Sequence, residues 1–330
     1  MKRKLPDRPN LDHLKAQAKE LLDAHRRRDV TALARIRETL PAYANATDDE
    51  IAARPIALHD AQSAIAREYG FSSFAKLRAR VLLAREPYAS ELVARLVGKP
   101  LPAEVDAALR DAFGRRDFDA LDALPTPDTL PVVAVRNALM SPYALAPFAI
   151  GRASSLAALD RAVEKNPELV ALFAQREEKV EDPRAEDLHT TGCLAIVRKL
   201  VPAADGTAWV VLEGVRWVTL LELTTWSPFL VARVAATEID EGDAAEVDTL
   251  EGELRDAARR LAETLPQRDQ AVAMIGAIAD AGRLSDLVMA NLPCTVAEKA
   301  EYAAEPVLAT RLRNVVGYLR RELAKVGGRS

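Results

Sequence analysis

A chain of 330 residues has room for two or three domains of the usual ~100–150 residues, so a single small core is excluded. Its formal net charge of −4, with 28% charged residues, supplies no positive excess for nucleic acid or an anionic membrane. Nowhere does an apolar run approach the roughly 18 residues of a membrane span, and Cys193 and Cys294, far apart in different kinds of sequence, form no disulfide framework.

The opening MKRKLPDRPNLDH is basic but lacks an apolar segment of signal-peptide length, so a cytosolic protein is expected. Lys2-Arg3-Lys4 reads as a tail and Arg26-Arg27-Arg28 as a solvated helix face. From Leu11 to about Leu124 the pattern is helical. Leu14, Ala18, Leu21 and Leu22 fall at i, i+4, i+7 and i+8 on one face. A second helix begins at Thr31 and is ended by Pro41; a third runs from Leu58 to Tyr69 and is closed by Gly70. Shorter helices are expected after Pro87, among them Ala103 to Phe113 and Phe118 to Leu124. TPDTLP, residues 126–131, then reads as a linker, cleavage of which should release two separately folded pieces.

Beyond it, in LPVVAVRNALMSPYALAPFAIGR, the prolines at 131, 142 and 147 forbid a long helix, because each lacks an N–H and clashes with the preceding turn. Short strands remain, at an edge or corner where a ladder donor is not required. One helix follows, Ser154 to Lys165, stopped by Asn166-Pro167. Glu168 to Gln175 and Thr191 to Val201 are expected strands, and Asp205-Gly206 a hairpin turn. TAWVVLEGVRWVTLLEL is expected to give two strands around Glu213-Gly214, and Phe229 to Ile239 closes the set as a small barrel with one crossover helix. From Ala244 to Ala324 the pattern is helical again. Leu250, Leu254, Ala257, Leu261 and Leu265 form a stripe, and Thr295 with Glu298 makes a capping box for the last long helix.

Two resemblances rest on these residues. Leu58 to Val81, with Asp60-Ala61-Gln62, Tyr69-Gly70-Phe71 and Phe74-Ala75-Lys76-Leu77, resembles the helical leader of bacterial ankyrin proteins, as does the upstream LKAQAKELLDAHRRRDVTAL. No T-P-L-H series follows, so an ankyrin solenoid is not expected. From Leu130 onward the chain resembles the N-terminal substrate-binding domain of the Lon protease family. Leu130-Pro131-Val132, Arg136, Pro142, Pro147-Phe148, Gly151-Arg152, Ala174-Gln175, Gly192, Asp205-Gly206, Glu213-Gly214, Pro228-Phe229, Gly282-Arg283-Leu284, Asp286, Leu292-Pro293 and Arg311-Leu312 carry it in colinear order. The family commonly has Glu-Lys after Gly-Arg; this chain has Ala153-Ser154.

The resemblance implies an α+β, multidomain fold: an all-α module over residues 1–125, a barrel-like subdomain over 130–240 and a helical bundle over 244–326. It implies polypeptide binding, without cofactor, metal, nucleic acid or membrane, and leaves the oligomeric state open. No G-x-x-x-x-G-K-[ST] loop is present, Gly98-Lys99-Pro100 lacking both the upstream glycine and the hydroxyl, and no protease domain follows Ala324, so neither ATPase nor peptidase activity is expected. His189 and Cys193 offer two zinc ligands where a structural site takes four. Glu177-Glu178, Glu251 and Glu253 read as solvated carboxylates. The candidate binding residues are Tyr143, beside proline-bounded edge sequence, and Trp226 with Phe229 in TTWSPF, where an indole either anchors a client or packs over the barrel mouth. The leading reading is an adaptor or regulator around protein quality control, whose partner is an unfolded chain, a protease or a chaperone. A scaffold recruiting its partner through the helical module and an enzyme with a site in the inter-module cleft are the alternatives.

Overall fold

In the first helices, side chains close what the backbone leaves open. Asn10 and Asp29 accept from the N–H groups of Asp12 and Ala32 at the starts of α1 (Leu11–Arg26) and α2 (Val30–Thr39), and Thr47 with Glu50 forms a capping box on α3 (Asp48–Ala53). α4 (Leu58–Glu68) ends in Gly70 at φ +86°, and α5 (Phe74–Arg85) follows. The structure, a computed structural model, describes residues 3, 5, 9–85, 101–266 and 268–327. Lys2, Lys4, Gly98-Lys99-Pro100 and the closing Gly328-Arg329-Ser330 lie outside them.

The chain divides into two units by contact density. One comprises Met1–Pro87 with Leu265–Ile278, the other Tyr88–Thr264 with Ala279–Ser330. In the first, Leu14, Leu21, Ile36, Ile51, Ile65 and Leu77 form the core. Buried His25 places Nε2 2.9 Å from the Ile51 carbonyl, and Arg35 grips Glu68 with Nε and Nη2 at 2.6 and 3.0 Å. Helix α10 (Arg268–Ala277) belongs to this unit by its packing on α5.

The second unit is built on six strands: β1 (Thr129–Val135), β2 (Leu145–Ile150), β3 (Leu169–Ala174), β4 (Thr191–Pro202), β5 (Ala208–Thr225) and β6 (Leu230–Ala236). β1 and β3 are parallel, joined through β2 and the crossover helix α8 (Ala153–Val163), which packs on β1, β3 and β4; the other pairings are antiparallel. β5 pairs with β4 from Ala208 to Thr219, with β2 over its first part and with β6 over its last, so the ladder β5–β4–β3–β1–β6 returns to β5. The expected break at Glu213-Gly214 is corrected: β5 runs through as one strand of 18 residues, because β4 pairs on both sides of it. Gly214 is there for space, since a Cβ would lie 2.1 Å from the Ser141 carbonyl oxygen. Asp205-Gly206 does turn the chain, with Gly206 at φ +80°.

Helices α6 (Ala103–Gly114) and α7 (Phe118–Asp122) precede the expected linker and lie in this unit. Val105 and Leu109 of α6 pack on Leu145, Trp209 and Val211 of the sheet. Arg116 bonds buried Glu213 at 3.1 Å, and Arg198 takes the other carboxylate oxygen at 2.8 Å. The remaining helices are α9 (Ala244–Ala262), α11 (Ala281–Asn291), α12 (Val296–Ala304) and α13 (Leu308–Gly327), with α9 and α11 packed on α13. Leu265 of the expected stripe lies beyond α9 and is exposed. The Thr295–Glu298 capping box forms, yet it opens the nine-residue α12; Pro306 separates this from the long α13.

Candidate functional site

The hairpin of β5 and β6 carries exposed apolar groups. Leu223, Leu230 and Ala232 are buried, as alternation along paired strands requires. The register slips between Leu220 and Glu222, so Leu221 has no partner residue, and this bulge leaves it 53% exposed. At the turn Trp226 is 60% exposed. Phe229, three residues on, is half-buried against the core that contains Val133, Leu159 and Leu172. Trp226 and Phe229 thus share one turn but do different things: the indole faces solvent while the phenyl ring holds the turn to the sheet. A Glu222–Arg233 ion pair at 3.4 Å flanks the hairpin.

Tyr143 is elsewhere, and this candidate binding residue is buried rather than open to a client. It is 8% exposed, its backbone at φ +58° with the N–H donated to Gly214 O at 2.9 Å. Its hydroxyl donates to Asp122 Oδ1 at 2.6 Å, and its ring meets Phe118 edge-on, with the Arg283 guanidinium 5.6 Å above it. Burial pushes the phenol's pKa up. Arg283 also binds Asp119 at 3.0 Å and Asp122, tying α11 to α7.

Tyr143 lines a cavity of about 340 Å³ with Arg216, Trp217, Asp286, Leu308 and Arg311 among its neighbours. Asp286 is the centre of its polar side. Trp217 Nε1 and the Tyr302 hydroxyl both donate to Asp286 Oδ1, at 2.8 and 2.7 Å, and Arg311 Nη1 stands 3.8 Å away. Arg311 is itself fixed by the carbonyls of Glu305 and Ala303 at 2.6 and 2.9 Å. Burial pushes the Asp286 carboxyl up to about 6, against the pull of Arg311 and the two donors. This cluster joins β5, α11, α12 and α13, its members running from Trp217 to Arg311, so no local spacing announces it. Asp286 and Arg311 do stand among the residues that carry the family resemblance.

Other candidates stay apart. Burial pushes the Cys193 thiol's pKa up, the opposite of a nucleophile, and burial beside Arg176 lowers that of His189. Among the described residues no group of three or more His, Cys, Asp or Glu is placed to hold a metal ion. No described helix is long and apolar enough to cross a membrane. Arg152, of the Gly-Arg pair, donates to Gln175 Oε1 at 2.8 Å, and Gln175 donates to Val180 O at 2.8 Å. Ala153 and Ser154 form the first turn of α8.

Residues 129–321 match the family described as the ATP-dependent protease La (LON) substrate-binding domain. The chain is similar to Lon protease of Anaeromyxobacter dehalogenans (strain 2CP-C), 32% identical over 208 residues, covering 62% of this chain and 24% of that protein. It is also similar to Lon protease 2 of Myxococcus xanthus, 30% identical over 207 residues, covering 62% and 25%. It therefore spans about a quarter of the length of these curated relatives. Among solved structures, the N-terminal domain of Mycobacterium avium complex Lon protease aligns with TM-score 0.48 and 19% identity, over 58% of this chain and 98% of that one.

Proposed function

The chain belongs to the Lon substrate-binding domain family, and from that premise we propose that it binds polypeptide through the β5–β6 hairpin as a recognition protein, without catalysing a reaction. The observation that carries this is Trp226, 60% exposed at a turn flanked by buried Leu223 and Leu230. Indole surface left in water at a projecting turn is available to a partner at little ordering cost. Leu221 extends it along the strand. With Ala153-Ser154 where the family commonly has Glu-Lys, apolar contact is the main source of affinity. The strand ring is read here as the small barrel expected from the sequence, which makes the hairpin a rigid platform. The N-terminal helical module, read as ankyrin-leader-like, serves as a second contact for a partner, and an adaptor role in cytosolic protein quality control follows from the pair.

The test is capture of an unfolded, casein-like client by the full chain. Trp226→Ala is expected to weaken capture about tenfold to a hundredfold while leaving Tm nearly unchanged, with little sensitivity to salt up to about 0.5 M. Unchanged capture sinks the proposal; a large fall in Tm would make Trp226 a structural residue instead.

A further inference from the structure

We propose that the cavity lined by Arg216, Trp217 and Tyr143 is a carboxylate-binding site that takes the C-terminal carboxylate or an acidic side chain of a bound polypeptide. It rests on the polypeptide-binding reading only for the source of the carboxylate. Arg216, on β5, is held by neutral acceptors: its Nη2 donates to the carbonyls of Asp122 at 2.7 Å and Leu124 at 2.6 Å. These bonds fix the guanidinium without neutralising it. Among the described residues no ion pair involves Arg216, and its Nε and Nη1 have no hydrogen-bond partner.

The acidic residues of the cavity are already engaged. Asp122 accepts from Tyr143 and Arg283, and Asp286 from Trp217 and Tyr302 with Arg311 close by. Asp280, near enough to raise Tyr143 and Asp286, does not line the cavity; its Oδ1 caps α11 by accepting from Arg283 N at 2.6 Å. The site therefore pairs one uncompensated guanidinium with carboxylates that disfavour a second negative charge. A monoanion suits that arrangement and a phosphate dianion does not. Pro142, Leu308 and Ile239 supply apolar wall for the residue bearing the carboxylate, and about 340 Å³ fits one such residue, not a folded element.

Isothermal titration of the full chain with three short peptides tests this: one with a free C-terminal carboxylate, the same peptide amidated, and the amidated peptide with one glutamate. The free acid is expected to bind about tenfold tighter than the plain amide. Arg216→Gln should abolish the preference. So should Ala236→Trp, which fills the cavity mouth from an exposed position and leaves Arg216 and its carbonyl anchors in place. If the glutamate peptide recovers the affinity, the site reads side chains; if it does not, it reads chain ends. Equal binding of acid and amide, a preference that survives in both variants, or no binding by any peptide overturns the proposal. Client capture through Trp226, measured separately, stands or falls on its own.

Discussion

At Asp286, burial and partnership act in opposite directions. Its carboxyl is driven from 3.8 up to about 6 by desolvation, while Arg311, Trp217 and Tyr302 favour the charged form. A folded-state pKa above the unfolded one means that the stability this group contributes is full below about pH 4 and is lost as pH rises through about 6. Asp286→Asn keeps an acceptor for Trp217 and Tyr302 but cannot ionise. The melting-temperature difference, variant minus parent, should therefore become more positive between pH 4 and 7 and level off above. Leaving Arg311 without its carboxylate adds an offset that does not depend on pH. Glu298 works the other way: Arg321 and the Thr295 backbone hold it down to about 2, so its contribution is present above about pH 4.5 and falls away in acid. That effect is common to both proteins and cancels. A flat difference across the range would mean that Arg311 wins and Asp286 has its ordinary pKa.

Among the elements, β5 shows what local sequence says and what it omits. Its alternating apolar residues mark it as strand, yet Glu213-Gly214 reads as a break because glycine next to a charged residue is common in turns. Only the non-local pairing with β4 and the approach of Ser141 reveal why glycine is needed there. Helices α6 and α7 are likewise legible as amphipathic, but a stripe of apolar residues does not name the surface it covers. Here the surface is the sheet, with Arg116 reaching Glu213. A fragment beginning at residue 129 should therefore melt at least about 10 °C below one beginning at 101, or fail to stay soluble. It uncovers Trp209 and Val211 and leaves the buried carboxylate with Arg198 alone; several kcal/mol are lost, at about 2–4 °C each for a domain of this size. Equal melting points in a thermal scan would show that α6 and α7 contribute nothing to the sheet's stability.

For the whole molecule, the family was readable from residues scattered in order between Leu130 and Leu312 because many of them have a local duty, as Asp205-Gly206 has at its turn. Trp226 could be singled out for the same reason, since it stands in a proline-containing turn. The parallel pairing of β1 with β3, the return of the ladder to β5 and the cavity at Asp286 were not readable, because each joins segments distant along the chain. The first unit carries the same lesson, as α10 completes it from far downstream. A fragment of residues 1–87 should melt lower than the corresponding transition of the full chain, and a peptide of residues 265–278 added to it should raise that melting point. No response to the peptide would mean that α10 adds nothing to the first unit's stability.

The placement of α10 also has a consequence in time. About 180 residues separate the end of α5 from the start of α10, and at roughly 5–20 residues per second a ribosome needs about 10–40 s to make them. Throughout that interval the nascent α5 lacks the helix that later packs on it. Sheet pairing, slow by nature, is attempted meanwhile. Newly made chains therefore pass through a period in which they themselves resemble the unfolded clients that the finished protein is proposed to hold.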